Sequence, residues 1–314
     1  MNWTTTNREW VEQPKCYLKE HLNGHWDLRT EWRIAHKLAL PELRRRPGLQ
    51  EIWAVTMVRD EIDVIGLSID HLFRQGVDHV LVSDHMSTDG TREYLTELAA
   101  KDIRVHVAHD SEPGHHQMEK MSRLSRAAWW AGAEWIIPFD ADEFWFALGD
   151  SLLGFLARQN ASVVNARTVN LLPVDAPGIA RDSTFMIDTS GASASKVAFR
   201  AHPLALVGPG KHGVARVGER CDGLFIAHVP YRAPEQLARK YRNGARALDA
   251  AEAPSFEGWH WRVGAALTDA DIERTWLRMR AGESIPEIGW PGVNTTVRVR
   301  ALQWDSWNPG GRLP

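Results

Sequence analysis

From Glu51 to Trp145 the sequence alternates two hydrophobic periods, and that alternation narrows the possible folds more than any other feature. Ile52-Trp53-Ala54-Val55-Thr56-Met57-Val58 is a short apolar run, the pattern of a buried strand. Ile62, Ile65, Ile69, Leu72 and Phe73 then recur at helical spacing until Gly76 stops them. A second run, His79-Val80-Leu81-Val82-Ser83, ends at Asp84. Ser87, Thr88, Asp89 and Gly90 make a turn and cap before a helix lined by Tyr94, Leu95 and Leu98. Ile103, Val105 and Val107 alternate as a third strand. Past a polar loop over 110–116, Met118, Met121, Leu124, Ala128 and Trp129 give another helical stripe, closed by Gly132. Trp135-Ile136-Ile137-Pro138-Phe139 is the fourth run. The order βαβαβαβ predicts a parallel sheet with helices on its faces, joined by right-handed crossovers.

The fourth run ends in three carboxylates, Asp140, Asp142 and Glu143. Residues placed just after a buried parallel strand lie at the carboxyl edge of the sheet, where α/β proteins bind ligands. Unpaired carboxylates crowded there repel one another and favour a nearby cation. Hard oxygen donors on a short turn suit Mg²⁺ or Mn²⁺, which also bridge diphosphate oxygens. A solvated acidic turn is the plainer alternative. Phe139, Phe144 and Trp145 weigh against it, because they would exclude water.

Composition bounds the rest. A chain of 314 residues makes one large domain or two modest ones. With 40 acidic and 37 basic residues, the net charge of −3 gives no reason to expect a non-specific polyanion binder. Cys16 and Cys221 form neither a disulfide framework nor a zinc pattern, which fits a reducing cytoplasm. The first ten residues are polar and charged, so no secretory signal is expected. No apolar run approaches the ~20 residues that span a bilayer. Fifteen tryptophans leave two readings open, core packing and aromatic platforms.

Outside 51–146 the pattern is looser. Residues 1–50 show no clear sheet element. A helix is expected over 31–43, with Trp32, Ala35, Leu38 and Ala39 on one face. Arg44-Arg45-Arg46 then reads as a solvated helix end, or as a peripheral contact with an anionic membrane. After Trp145 come a short helix over 151–158 and a strand over 163–169. Residues 171–195 read as a long mobile loop, rich in Gly, Ser, Asp and Pro. Short strands are expected over 196–200, 202–207, 213–217 and 224–229. Helices are expected over 234–248, with Pro234 in the first turn, and over 268–281, capped by Thr268 with Asp271 three residues on. The tail from Glu283 holds Trp290, Trp304 and Trp307 without periodicity.

Four stretches resemble the nucleotide-diphospho-sugar glycosyltransferases of the GT-A fold, specifically the family 2-like group. Met57-Val58-Arg59-Asp60-Glu61 resembles that group's first strand-to-helix turn, which usually has Asn where Asp60 stands. Asp84-His85-Met86-Ser87-Thr88-Asp89-Gly90-Thr91 resembles the second-strand signature, with His85 in place of an Asn. Asp140-Ala141-Asp142-Glu143-Phe144 matches the metal motif. His228-Val229-Pro230-Tyr231-Arg232 with Lys240 resembles a downstream element. The resemblance is good over 51–146, thinner over 195–245, and absent before 50 and after 250.

The resemblance implies an α/β fold of GT-A type, with a Rossmann-like, mostly parallel central sheet flanked by helices and a smaller mixed acceptor part. Residues 1–50 would be a helical extension and 51–250 the catalytic domain, split into a nucleotide-sugar half (51–146) and an acceptor half (147–250). Residues 251–314 would be a C-terminal helix and Trp-rich tail. It implies transfer of a sugar from a nucleotide-diphospho-sugar, a UDP-sugar being favoured, to an acceptor hydroxyl that the sequence does not identify, with Mn²⁺ or Mg²⁺. Asp140 would face ribose or the metal shell, Asp142 would ligate the cation, and His228 would complete the shell. His212 is a second candidate for that ligand, or a phosphate contact, or an acid/base group. Arg59, Glu61 and Lys196 would face the nucleotide-sugar, with Arg200, Lys211, Arg232 and Lys240 as further cations. Asp84 would contact base or ribose, or cap its own turn. Inversion needs a base beside the acceptor. No later acidic motif supplies one clearly, which leaves His212, Asp222 and Glu219 as candidates. Two rivals remain: a degenerate sugar- or nucleotide-binding module, and a sugar-phosphate nucleotidyltransferase. The second would need a Gly-rich loop after the first strand, which Val58-Arg59-Asp60-Glu61 lacks.

Overall fold

The computed structural model describes residues 3–24, 26–46, 48–173, 178–179, 184–187, 195–290, 292 and 299–300. Two helices, α1 (Trp3–Leu22) and α2 (Leu28–Lys37), lead into a short strand, β1 (Leu38–Ala39). The predicted alternation comes next: β2 (Glu51–Val58), α3 (Ile65–Arg74), β3 (His79–His85), α4 (Thr91–Lys101), β4 (Val105–Asp110), α5 (Gln117–Ala131) and β5 (Ala133–Pro138). Then come β6 (Glu143–Ala147), α6 (Leu152–Ala157), β7 (Val163–Pro173), β8 (Thr184–Ile187), β9 (Lys196–Arg200), β10 (Leu206–Val207), β11 (Val214–Ala215) and β12 (Arg220–His228). Three helices, α7 (Pro234–Ala250), α8 (Trp259–Ala265) and α9 (Asp269–Arg280), and β13 (Val299–Arg300) complete the described α-helices and strands.

The central sheet runs β1-β4-β3-β2-β5-β9-β7-β12-β6. Its β4-β3-β2-β5 half is parallel throughout, so Val58 and Asp84 end level with one another in adjacent strands. The other half is mixed: β9 is antiparallel to β5 and β7, β12 is parallel to β7, and β6 returns antiparallel to β12. Strand alternation sorts the core into two layers. Ile52, Ala54, Val80 and Val82 pack with Ile65, Ile69, Leu72 and Leu95 of α3 and α4. Trp53, Val55, Leu81 and Ile136 pack on the opposite face with Met121, Leu124 and Ala128 of α5 and Ile34 of α2. Each such Leu or Ile contributes about 1.5–3 kcal/mol by leaving water. A third cluster joins Leu237 and Tyr241 of α7 to Ile272, Trp276 and Met279 of α9 and to Trp290.

Several expectations need correction. The N-terminal region does reach the sheet: β1 pairs with the edge of β4 through Leu38↔Asp110 and Ala39↔His109. For that reason α2 stops at Lys37 instead of running to residue 43. A helix, α1, precedes it. Its buried Glu9 accepts from Ser162 Oγ (2.7 Å) and Arg216 Nη2 (2.9 Å), and its Gln13 bonds Leu204 O and Ala215 O. Residues 171–195 are not one loop, because β7 runs on to Pro173 and pairs with β8 through Leu171↔Ile187. Residues 174–177, 180–183 and 188–194 lie outside the described set, as do Trp304 and Trp307. The capping box that starts α9 is present: Asp271 N donates to Thr268 Oγ1 (3.2 Å) and Thr268 N to Asp271 Oδ2 (3.1 Å). Trp53, Trp135, Trp145 and Trp276 are core residues.

Candidate active site

The turn between β5 and β6 is built to hold carboxylates. Phe139 N bonds back to Val55 O (3.1 Å), which ties the turn to β2. Asp140 N donates to Glu143 Oε2 (3.0 Å) and Glu143 N to Asp140 O (3.0 Å), so the turn closes on itself. Trp145 Nε1 steadies the same Glu143 oxygen at 3.4 Å. Glu143 is therefore a structural member of the motif. Because β6 pairs with β12, His228 stands opposite Glu143, and Val229 N donates to Asp142 O (2.9 Å). That register brings the C-terminal end of β12 to the motif across 86 positions of sequence, from Asp142 to His228.

Cations meet each carboxylate, and Lys196, Lys211 and Arg232 are buried ones. Lys196 bridges Asp140 and Glu143; Lys211 pairs with the other Asp140 oxygen and donates to Phe139 O (2.9 Å). Lys240 Nζ lies 2.5 Å from Asp142 Oδ2 and Arg232 Nη1 3.7 Å from the same oxygen. His228 Nε2 lies 3.5 Å from Asp142 Oδ1, and its Nδ1 lies 3.0 Å from Asn170 Oδ1. Arg232, fully buried, also ties Glu61 and Asp63 (2.7 Å) into the network. Burial alone would raise the Asp140 and Asp142 carboxyls. The Lys196 and Lys211 ammoniums outweigh it at Asp140, as Lys240 and His228 do at Asp142, and hold both well below the usual carboxylate range. Burial would lower Lys196, but Asp140 and Glu143 overcome it and raise that ammonium.

These groups open on a cavity of about 520 Å³ at the carboxyl edge of the parallel strands. Arg59, Glu61, Asp140, Asp142, Lys196, His212 and His228 all line it. Asp84 does not. Its Oδ2 accepts from Arg92 Nε (2.7 Å) and its Oδ1 from Ser87 N (3.3 Å), the geometry of a turn cap. Asp60 sits at a left-handed φ of 57° and fixes the first turn by accepting from Thr88 N (2.6 Å) and Asn243 Nδ2 (2.5 Å). Asp222 is placed away from the cavity. It is exposed, bonded to Asn165 Nδ2 (2.8 Å), and six residues before His228 on one strand, hence roughly 20 Å from it. As a base beside the acceptor it is in the wrong place. His212, by contrast, is exposed at the rim, its Nδ1 3.0 Å from Ser195 O.

Sequence reasoning missed one wall. Beside Lys240, which the sequence had offered as a cation, Asn243, Gly244 and Ala247 of α7 line the cavity, and so do His260 and Trp261 of α8. The α7 spacing of i, i+3, i+4, i+7 was available as a signal. His115, also lining, meets the Trp261 ring edge-on at 5.4 Å, and burial holds its imidazole down at about 4. Its loop is anchored from below by Lys120, fully buried, which pairs with Asp110 (2.7 Å) and donates to Gly114 O (2.6 Å).

Among the described residues, no three His, Cys, Asp or Glu side chains converge as a ready-made metal cluster. Asp142 Oδ1 and His228 Nε2 do face one another. One carboxylate and one imidazole fit Mg²⁺ or Mn²⁺ where diphosphate oxygens and water fill the remaining positions. The donor set thus fits a cation shared with a ligand.

A parallel β4-β3-β2-β5 half with an acidic motif after its last strand, continued by a mixed half that carries a late histidine, is a GT-A fold. Residues 53–169 match Glycosyl transferase family 2. That segment is a family 2 glycosyltransferase domain, and it makes the protein a sugar-transferring enzyme. Lys196, Lys211, His228, Arg232 and Lys240 lie beyond the matched segment. Among solved structures, TarS residues 1–349 from S. aureus is 12% identical, with a TM-score of 0.35, over 74% of this chain and 79% of that one. The mannosyltransferase PcManGT from Pyrobaculum calidifontis, in complex with GDP-Man and Mn²⁺, is 14% identical, with a TM-score of 0.38, over 88% and 87%. HddC from Yersinia pseudotuberculosis is 11% identical, with a TM-score of 0.32, over 64% and 99%. No curated protein matches the chain significantly.

Proposed function

We propose that the protein moves a sugar from a nucleotide-diphospho-sugar to an acceptor hydroxyl with inversion, and that it uses Mn²⁺ or Mg²⁺ held by Asp142 and His228 together with the donor's diphosphate. The observation that carries this reading is the meeting of Asp142, His228 and Lys240 at the floor of a cavity whose other lining comes from the ends of the parallel strands. When bound, the cation neutralises charge that builds on the departing diphosphate. Arg59 and Lys196 face the same space as cations for phosphate oxygens. Arg232 locks Glu61 and Asp63 to Asp142, and so fixes the first and fourth strand ends in one geometry. His212, at the cavity rim, would take the acceptor's proton, and α7 and α8 would wall the cavity against water.

No helix among the described residues is long and apolar enough to cross a membrane. Cys16 and Cys221 are free thiols, which supports a cytoplasmic setting. A peripheral membrane contact through Arg44–Arg46 gains nothing from Arg46, whose guanidinium lies 3.2 Å from His79 Nε2 and 3.7 Å from Glu51.

The test is release of nucleoside diphosphate from a panel of UDP-, GDP- and ADP-sugars, with and without Mn²⁺. Release from one donor class, raised by Mn²⁺, is expected, with the UDP-sugars leading. Tight binding with no release in any acceptor mixture would favour a binding module. Pyrophosphate made from a nucleoside triphosphate and a sugar phosphate would favour a nucleotidyltransferase.

A further inference from the structure

We infer that Asp140 is a positioning residue: it is the counter-ion that aims the Lys196 ammonium at the donor's diphosphate, and it takes no place among the ligands of the cation. The inference rests on the transferase reading above and sharpens it, because it divides the two aspartates of one motif between different tasks.

The geometry points this way from several sides. Each Asp140 oxygen already has its own ammonium, Lys196 on Oδ2 and Lys211 on Oδ1. Both lysines are anchored a second time, Lys196 by Glu143 and Lys211 by Phe139 O. Their side chains are 8% and 0% exposed, against 34% for Asp140, so the carboxylate is clasped from within the protein. Lys211 adopts a left-handed φ of 62°, a conformation unfavourable for a side chain of its size, in a turn closed by Gly208 N to Gly213 O (2.8 Å) and Gly210 N to Gln117 Oε1 (2.9 Å). The backbone is thus bent to deliver that ammonium to Asp140. Two carboxylates and two ammoniums balance, which leaves no surplus negative charge at Asp140 to draw a cation. Asp142 differs in where its partners sit: Lys240 and Arg232 both meet its Oδ2, while its Oδ1 lies 3.5 Å from the His228 imidazole, itself a candidate ligand. Of the two clasping lysines, Lys196 lines the cavity. When the bond from the anomeric carbon to the diphosphate oxygen breaks, the electron pair leaves with that oxygen. The acceptor oxygen bonds the same carbon and gives up its proton, and Lys196 stands where the new phosphate charge appears.

The two roles for Asp140 predict opposite signs. UDP and GDP are the probes, titrated calorimetrically in EDTA and again with Mn²⁺, while Mn²⁺ uptake is followed by its paramagnetic resonance spectrum. Asp140→Asn removes one negative charge beside Lys196, so UDP in EDTA should bind severalfold tighter, with Mn²⁺ uptake in the presence of UDP unchanged. Asp142→Asn should abolish that uptake. Lys196→Met should weaken UDP in EDTA by roughly tenfold and leave Mn²⁺ uptake intact. If Asp140→Asn folds poorly with two lysines left unbalanced, Asp140→Asn with Lys211→Met removes one charge of each sign and should also keep Mn²⁺ uptake. Loss of Mn²⁺ uptake in either Asp140 variant, or weaker UDP binding by Asp140→Asn in EDTA, overturns the inference and leaves the transferase reading standing. Failure of the unaltered protein to bind UDP or GDP under both conditions would sink that reading and this inference together.

Discussion

At the scale of single residues, two aspartates from similar-looking motifs take different fates. Asp84 ends β3 as Asp140 follows β5, yet Asp84 is fully buried and gives both oxygens to its own turn and to Arg92. Replacing it with Asn removes the charge from the ion pair in which Arg92 Nε and Nη2 both meet Oδ2, and should cost about 1–3 kcal/mol of stability. UDP affinity of the folded variant should stay within about twofold, since the side chain does not line the cavity. Chemical denaturation with calorimetric titration separates the outcomes, and a stable variant that has lost UDP would return Asp84 to the nucleotide. His212 is the converse case, exposed at the rim and unburdened by packing. His212→Asn should lower kcat by roughly 10²-fold or more while UDP affinity holds, because a base acts on the acceptor's proton and not on the diphosphate. An unaltered kcat would send the search for the base to His115 or His260. Asp140, Asp142 and Glu143 were legible because the apolar run before them marks a strand end. The lysines that clasp them were visible only as loose cations. Their pairing spans 56 residues for Lys196 and 71 for Lys211, and no local pattern encodes contacts of that range.

At the scale of elements, legibility followed periodicity. The parallel strands and α3–α5 were read because period 2 and period 3.6 alternate cleanly there. The strand β6 was hidden, since Glu143–Ala147 continues the motif without a turn residue between them. Helix α8 was hidden too, because seven residues beginning Trp259-His260-Trp261 are too few to show a stripe. Yet α8 is held to α7 by a reciprocal close approach. A side chain at Gly244 of α7 would meet the Trp261 ring at 2.5 Å, and one at Gly264 of α8 would meet the Tyr241 ring at 2.3 Å. In an isolated helix Gly→Ala would gain roughly 1 kcal/mol. Gly244→Ala should instead push Trp261 off its seat, loosen α8 and widen the cavity beside His115. Hydrogen exchange should rise over residues 259–265 while the β2–β5 core stays protected. Unchanged protection together with a higher Tm would mean that Trp261 yields without strain.

At the scale of the whole molecule, histidines buried as neutral rings tie stability to pH. Burial, reinforced by Lys120, holds His85 down at about 3; burial, with Arg216 beside it, holds His202 at about 4; and burial, with His79 alongside, does the same for His106. The unfolded chain takes up protons at an ordinary histidine pKa of about 6.5. Above that value neither state is charged, and these groups give no pH dependence. As pH falls from about 6.5 toward 4, the unfolded state binds protons that the folded state refuses, so folding stability drops, by at most roughly 1.4 kcal/mol per pH unit for each histidine. His202 isolates the effect. It is 2% exposed, its Nδ1 accepts from Leu204 N (3.1 Å), and Trp10 of α1 lies over its ring at 4.2 Å. A protonated Nδ1 cannot accept that bond, so charging the ring frees the chain at Leu204 and unseats α1 at the same time. His202→Asn keeps an acceptor near Leu204 N but cannot titrate. Urea unfolding at pH 7, 6 and 5 should show a shallower loss of stability for His202→Asn than for the unaltered chain, with the two diverging less between pH 7 and 6 than between pH 6 and 5. An identical loss in both proteins would place the pH dependence elsewhere, at the other buried rings, His85 and His106.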